Sequence, residues 1–222
     1  MTSDPHPLLS LIEVRGRLRR ECAWKAEQTH ESLARYLLEE AHETVEAIES
    51  GDSAHLREEL GDLLLQVYFH AAIAEEAGEY SLADVASDLQ EKLIRRNPHV
   101  FGDSTATTAH QINEQWESIK RAEKQRLLPT EGIPASLPAL LYADKVIDRA
   151  QRAGAPLAAD GDTMGERLLA LALEAHAAGL DLEQELRGAV RSRVEEPRDP
   201  GRNDHATELS RSLDSRCDVK HH

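Results

Sequence analysis

The sequence predicts an all-α protein, a helical bundle built around an acidic helical hairpin, and three observations support that prediction. Apolar residues recur every three or four positions along most of the chain, which is the period of an amphipathic helix. Aromatic residues make up only 4% of a chain that is 40% hydrophobic, so its core must consist mainly of Leu, Ala, Ile and Val. Two acidic pairs also lie in consecutive predicted helices, separated by a short turn at residues 50–53.

The predicted helices follow one another along the chain and are bounded by turn residues. Glycine and proline, among them Gly78 and Pro98, mark where helices stop. We predict helices at 8–20, 31–49, 54–77, 82–96 and 109–126, and further helices at about 139–153, 163–178 and 181–193. The segments 21–30 and 97–101 have no clean helical period and are predicted as loops.

Proline, glycine and charge divide the chain into four parts. Residues 1–126 form the main helical domain, and a run of prolines with Gly132 indicates a linker at 127–138. The alanine- and leucine-rich helices of 139–193 form a C-terminal helical extension. Residues 194–222 are polar, contain two prolines and have few large apolar side chains, so we predict a disordered tail.

Apolar residues at helical spacing also predict which faces of the hairpin are buried. The predicted stripes are Leu33, Leu37, Ala41, Val45 and Ile48 on the first helix, and Leu60, Leu63, Leu64, Val67 and Ala71 on the second. Other residues border these stripes. Tyr36, Glu40, Glu43 and Ala47 share a neighbouring face of the first helix, and Glu59, Asp62 and Gln66 lie beside the second stripe.

The acidic pairs predict a metal site. Residues three apart share a helix face, so a hairpin can bring the pairs Glu40/Glu43 and Glu59/Asp62 to one point. Carboxylates in a shared site resist joint ionisation, and Arg57 is the only Lys or Arg between residues 36 and 90. A divalent cation that prefers oxygen, Mg²⁺ first, is therefore the expected partner, and such a cation usually also binds substrate phosphates. The structural alternative is a solvated acidic helix face, since the chain holds 41 acidic residues.

The basic residues are concentrated at the end of one helix. Lys92, Arg95 and Arg96 form the densest basic segment, and their side chains suit phosphate oxygens. The structural alternative is that they favour the helix C-terminus through its dipole. Trp116 and Lys120 lie four residues apart on another helix. The tryptophan is either a core residue or a surface on which a nucleobase stacks, with Lys120 near the phosphates.

Net charge, cysteine content and the length of apolar runs limit the kinds of binding partner and cellular compartment that we expect. A formal net charge of −15 argues against general affinity for nucleic-acid polymers or anionic membranes, which bind through Lys and Arg. Cys22 and Cys217 are too few for a disulfide framework, which fits a reducing compartment. No apolar run approaches the ~18 residues that span a bilayer, and residues 1–10 lack a signal-peptide pattern. We therefore expect a cytoplasmic protein.

Four segments, in order and at matching spacing, resemble MazG-family nucleoside triphosphate pyrophosphohydrolases. They are Gln28-Thr29-His30, Leu37-Leu38-Glu39-Glu40, Glu59-Leu60-Gly61-Asp62-Leu63-Leu64, and residues 92–101. The similarity covers roughly residues 8–125, and the ordered set is more specific than any one segment. One departure is Cys22-Ala23-Trp24, where the family usually has Cys-Pro-Trp. The missing proline puts the order of that loop in doubt.

The resemblance implies an all-α, dimeric fold whose catalytic domain is residues 1–126. It implies Mg²⁺, with Mn²⁺ as a substitute, and hydrolysis of nucleoside triphosphates to monophosphate and pyrophosphate in nucleotide-pool house-cleaning. The implied metal ligands are Glu40, Glu43, Glu59 and Asp62, and the implied nucleotide contacts are Tyr36, Lys92, Arg96, Trp116 and Lys120. Glu39, adjacent to Glu40, is the candidate that orients or deprotonates the attacking water.

Two other interpretations stay open. A di-iron carboxylate bundle would use Glu27-x-x-His30 and Glu39-x-x-His42, although such a site takes its motifs from separate helices and these lie close together in sequence. An acidic helical scaffold without turnover would bind a basic protein partner, for which the C-terminal helices and the charged tail are suited.

Overall fold

The computed structural model describes residues 6–195, and in that part of the chain all regular secondary structure is helical, as predicted. The helices are α1 (Pro7–Glu21), α2 (Ala23–Ala26), α3 (His30–Ser50), α4 (Ser53–Glu76), α5 (Leu82–Arg96), α6 (Pro98–Phe101), α7 (Ala109–Lys124), α8 (Ala139–Arg152), α9 (Met164–Ala178) and α10 (Leu182–Glu195). The chain divides into two compact units, with the boundary between Glu123 and Lys124.

The predicted helix ends agree with the structure to within one or two residues, but three details differ. The segments predicted as loops contain the short helices α2 and α6; α6 begins at a proline, whose fixed backbone angle suits a first helical turn. Val194 and Glu195 belong to α10 and not to a disordered tail. The remainder of the predicted tail, 196–222, lies outside the described residues.

Capping residues fix the α3–α4 hairpin. The Thr29 side chain accepts a hydrogen bond from the Ser32 amide at the start of α3. Gly51 ends that helix with a φ of 72°, which favours glycine. The next residue, Asp52, accepts hydrogen bonds from the Ala54 and His55 amides and begins α4. Because the turn is this short, α3 and α4 pack against each other as a hairpin.

The buried faces of the hairpin differ from the predicted stripes. Small residues such as Ala47 and Ala74 are fully buried, while Leu60 is 50% and Ile48 is 58% exposed. The prediction is correct at Leu33 and Ala71 and wrong at five positions, which are Leu37, Val45, Ile48, Leu60 and Val67. Both helices have apolar side chains on more than one face, and small residues allow close helix packing. Periodicity alone therefore did not identify the inward face.

Arginines of α1 attach that helix to α4 and hold the segment that follows it. The buried Arg15 donates to the Tyr68 carbonyl at 3.3 Å and to Glu75 at 3.2 Å. Arg19 pairs with Glu76 and donates to the carbonyls of Lys25 and Gln28. Hydrogen bonds from Arg19 thus hold Lys25 and Gln28, which follow the Cys-Ala-Trp segment that lacks the family's proline.

The second unit is built from α8, α9 and α10. Val146, Ile147 and Ala150 of α8 are buried, as are Ala172 and Ala175 of α9. His176 and Asp144 join α9 to α8 at 2.8 Å. Across both units, none of the described helices is long and apolar enough to span a membrane.

Candidate metal and nucleotide site

Three carboxylates converge at the α3–α4 hairpin. Glu40, Glu43 and Glu59 each place one oxygen within 4.8 Å of the others. Two of them share a face of α3, and the hairpin brings the third from α4. Among residues 6–195 this is the only such group of three or more His, Cys, Asp or Glu side chains.

The fourth predicted ligand, Asp62, lies close enough to act electrostatically on this group. The pKa of Glu40 is raised above its ordinary value, first by burial and then by the charges of Asp62, Glu43 and Glu59. A hydrogen bond from the Gln66 side chain acts in the opposite direction. Burial is the largest cause of this rise, and the neighbouring negative charges add to it because carboxylates in a shared site resist joint ionisation.

Two neighbours of the carboxylates have contacts that the sequence analysis did not anticipate. His55 Nε2 lies 3.1 Å from a Glu59 oxygen, and the i,i+4 spacing of these residues could have indicated the pair. Gln66 is 6% exposed and contacts Glu40, while no described residue donates a hydrogen bond to its Oε1. A buried amide therefore contacts one of the three converging carboxylates.

The donor set fits a hard divalent cation. All the converging atoms are carboxylate oxygens, which suit Mg²⁺ and Mn²⁺ better than softer metals. No described Lys or Arg forms an ion pair with Glu40 or Glu43. A cation would offset the part of this pKa rise that comes from the neighbouring carboxylates, and among residues 6–195 no arginine or lysine pairs with Glu40 or Glu43 to do so.

Glu39, the candidate base, lies outside the converging group. Its carboxylate is exposed and 3.9 Å from Arg35, whose guanidinium lies 4.8 Å from the Tyr36 ring centre. Tyr36 also meets Trp24 edge-on, with ring centres 6.0 Å apart. These contacts place Tyr36 in a small aromatic and cationic cluster on the α2–α3 side of the hairpin.

The predicted phosphate-binding arginines share an acidic partner on α7. Arg95 lies 2.6 Å and Arg96 2.5 Å from opposite oxygens of Glu123. Hydrogen bonds from Arg96 and Arg95 lower the pKa of Glu123 to about 2. The buried Arg96 also lies 5.4 Å from the centre of the Trp116 ring. Glu123 was not predicted, because its partners lie 27 and 28 residues away and no local spacing relates them.

The two predicted lysines differ in their partners. Lys120 donates to Glu117 at 2.8 Å, whereas the half-buried Lys92 forms no ion pair with a described residue. The structure therefore brings Arg96 and Trp116 together. No hydrogen bond, ion pair or ring contact within the described part of the chain joins this basic set to the carboxylate group.

The di-iron pattern does not assemble among the described residues. His30 Nδ1 lies 2.7 Å from His70 Nδ1, and the two rings stack with centres 5.0 Å apart. His30 is thus directed to another imidazole, and Glu39 and His42 are exposed on α3.

This chain is similar in sequence to one protein-family model and to several known bacterial proteins. Residues 28–101 match the model of the MazG nucleotide pyrophosphohydrolase domain, a range that includes all four predicted metal ligands. An uncharacterized 26.1 kDa protein of Streptomyces cacaoi is 46% identical over 188 residues, covering 82% of this chain and 78% of that protein. The nucleoside triphosphate pyrophosphohydrolase of Mycobacterium tuberculosis is 46% identical over 151 residues, covering 67% of this chain.

The chain spans 46% of the length of that Mycobacterium tuberculosis relative. Among solved structures, it is similar to a mazG-related protein from Thermotoga maritima, at 28% identity and a TM-score of 0.45. That similarity covers 51% of this chain and 98% of the other.

Proposed function

Since this chain belongs to the MazG family, we propose that it hydrolyses nucleoside triphosphates to nucleoside monophosphate and pyrophosphate. The observation that supports this most directly is the convergence of Glu40, Glu43 and Glu59 inside the matched region. Oxygen ligands are what a metal-dependent phosphate hydrolase requires, and no described Lys or Arg pairs with Glu40 or Glu43. The printed name of the Mycobacterium tuberculosis relative gives the same reaction class.

We propose that Glu40, Glu43, Glu59 and Asp62 hold Mg²⁺, with Mn²⁺ as a substitute. When bound, such a cation lowers the pKa of a coordinated water and offsets charge on phosphate oxygens. The buried side-chain amide of Gln66 would hold the Glu40 carboxylate in position through a hydrogen bond. Glu39 precedes Glu40 in the sequence and lies outside the converging carboxylates. It is our candidate for orienting or deprotonating the attacking water.

The basic residues of α5 are proposed to bind the polyphosphate. Lys92 has no ion-pair partner among the described residues, so it is available for a phosphate oxygen. Arg95 and Arg96 already hold one carboxylate, that of Glu123. A triphosphate carries more charge than a carboxylate and offers the same bidentate geometry, so it can replace Glu123 on the guanidinium groups.

Aromatic side chains are proposed to bind the nucleoside. Trp116 is half-buried with the Arg96 guanidinium 5.4 Å from its ring centre, and a base is proposed to stack on this ring. Lys120, one turn further along α7, would contact a phosphate after leaving Glu117. Tyr36 is the second proposed contact, next to Trp24 and Arg35. No base-reading pattern is present, so we expect broad specificity and a house-cleaning role acting on the cytoplasmic nucleotide pool.

We also propose a homodimer formed by the first unit. Six apolar side chains of α3 and α4 are more than one-third exposed in the single chain: Leu37, Leu38, Val45, Ile48, Leu60 and Val67. A second copy would cover these apolar side chains.

The test is a hydrolysis assay with each ribo- and deoxyribonucleoside triphosphate in Mg²⁺, in Mn²⁺ and in a chelator. We expect pyrophosphate release with either metal and none in chelator. A folded protein that cleaves no triphosphate under any of these conditions would contradict the proposal. That result would favour the non-catalytic acidic scaffold, an interpretation supported by the net charge of −15.

A further inference from the structure

Helix α9 has two buried alanines on one side and three exposed large apolar side chains on another. Ala172 and Ala175 are 4% and 7% exposed, whereas Leu168 is 48% and Leu171 is 52% exposed. Met164, at the start of the helix, is 66% exposed. An amphipathic helix normally buries its leucines, so this side of α9 is suited to contact with another molecule.

Two opposite charges border these exposed side chains. Arg167 and Glu174 are exposed, and neither forms an ion pair with a described residue. They lie seven residues apart, so they occupy nearly the same angular position on the helix, two turns from each other. We define the α9 face by five residues, Met164, Arg167, Leu168, Leu171 and Glu174, which together line one shallow groove.

The order of these residues along the helix selects one arrangement with a second copy. In an antiparallel pair related by a two-fold axis, equivalent edges of the two helices face each other, and the residues along them run in opposite directions. An axis between Ala170 and Leu171 places Arg167 of each copy opposite Glu174 of the other. The same axis brings Leu171 against Leu171 of the second copy. In a parallel two-fold pair the equivalent edges of the two helices lie on opposite sides of the contact, so Arg167 and Glu174 would not face each other.

We propose that the α9 face binds α9 of a second copy of this chain in this antiparallel arrangement. The inference does not rest on the proposed enzymatic function, because none of the candidate site residues lies in the unit that begins at Lys124. It also differs from the proposed dimer contact of the first unit. One pair of four-turn helices buries less than the roughly 1,200 Å² of a standard interface, so a cross-linking readout that traps a weak complex is appropriate.

The test uses one cysteine on the face in the full chain. Leu171→Cys is introduced with Cys22→Ser and Cys217→Ser, and the protein is treated with a short bis-maleimide. We expect efficient formation of a covalent dimer. Ala178→Cys in the same background is the matched control, because an antiparallel pair would separate its two copies by about 22 Å at 1.5 Å per residue. A parallel pair would instead cross-link efficiently at 178.

Charge reversal then tests the pairing of Arg167 with Glu174. In the Leu171→Cys background, Arg167→Glu or Glu174→Arg alone creates two like-charge pairs and should reduce the cross-linked fraction about fivefold. The double reversal restores both pairs and should return the fraction to its starting value. Lys145→Glu, the same charge change at an exposed position of α8, should leave the fraction unchanged.

Any of three results would overturn the inference. The first is absence of cross-linking at 171 in a folded protein at concentrations of tens of micromolar, and the second is equal cross-linking at 171 and 178. The third is a double reversal that cross-links as poorly as the single variants, which would mean that Arg167 and Glu174 do not face each other.

Discussion

Glu40 shows what the convergence of four carboxylates means for a single residue. Burial and the charges of Asp62, Glu43 and Glu59 raise its pKa above the ordinary value of 4.5. A carboxyl whose pKa is raised by folding binds its proton more tightly in the folded than in the unfolded state. The charged site is therefore a local source of instability above pH 4.5, unless a cation is bound.

The first prediction concerns Glu40→Gln in metal-free protein. The contribution of Glu40 to the stability of the wild type should fall as the pH rises through 4.5 and toward the folded-state pKa, because this carboxyl loses its proton first in the unfolded state. Removing the charge should raise the free energy of unfolding at pH 7 by about 1 kcal/mol, or on the order of 2–4 °C in Tm. Thermal unfolding at pH 4 and pH 7 measures this.

Mg²⁺ provides the control for the Glu40 variant. It should raise the Tm of the wild type and have little effect on the variant, which lacks one proposed ligand. A variant that is less stable than the wild type at pH 7 without metal would show that repulsion does not dominate at this residue.

The second prediction concerns the proposed ligands. Glu43→Ala or Asp62→Ala should reduce turnover at least about 100-fold by removing a metal contact, without loss of helix content by circular dichroism. Glu46→Ala, an exposed glutamate one turn after Glu43 on α3, is the matched control and should retain activity. Near-normal rates in both ligand variants would remove these residues from the metal site.

Local spacing predicts some of these residues and not others. The pair Glu40/Glu43 was evident from i,i+3 spacing, and the structure brings it to Glu59. Glu123 was missed because its arginine partners belong to a distant helix. The buried amide of Gln66 was seen beside the apolar stripe, but its contact with Glu40 depends on how the two helices pack.

At the scale of helices, capping residues in the sequence predict where α3 ends and where α3 and α4 begin. The sequence does not predict in the same way which face of each helix is buried. Thr29, Gly51 and Asp52 are local signals that act within three residues. The inward face depends instead on which side chains permit close approach. Ala47 and Ala74 do so, whereas Ile48 and Leu60 remain exposed.

The third prediction concerns the attachment of α7 to α5 by Glu123. Glu123→Gln removes the charge that Arg95 and Arg96 share, so the amides of α7 should exchange hydrogen faster than in the wild type. In the wild type the same loosening should develop as the pH falls from 4.5 toward about 2, because the lowered pKa of Glu123 stabilises the fold above that range.

Hydrogen exchange followed by mass spectrometry over residues 109–124 measures this effect. Glu79→Gln, an exposed glutamate between α4 and α5, is the control. Unchanged exchange of α7 in the Glu123 variant would mean that other contacts hold that helix.

At the scale of the whole molecule, exposed apolar residues lie on α3 and α4 of the first unit and on α9 of the second. Val67 is 40% exposed on α4, although apolar spacing predicted it as a core residue. Residues that were predicted as core but are exposed in the single chain would be buried if a second copy of the chain packed against them.

The fourth prediction concerns the proposed dimer of the first unit. Val67→Glu places a charge in the proposed contact and should lower the weight-average mass toward that of one 24.7 kDa chain at micromolar concentration. Val190→Glu, the same substitution at an exposed position of α10, should leave the mass unchanged. Light scattering after size exclusion measures both. A Val67 variant with the wild-type mass would contradict this contact.

We propose that the carboxylate hairpin directs water to the bond between the α and β phosphates. The most direct test is mass spectrometry of the products after hydrolysis of a nucleoside triphosphate in ¹⁸O-labelled water with Mg²⁺. We expect nucleoside monophosphate and pyrophosphate, with one ¹⁸O atom in one of the two and no orthophosphate. Nucleoside diphosphate with labelled orthophosphate would contradict it.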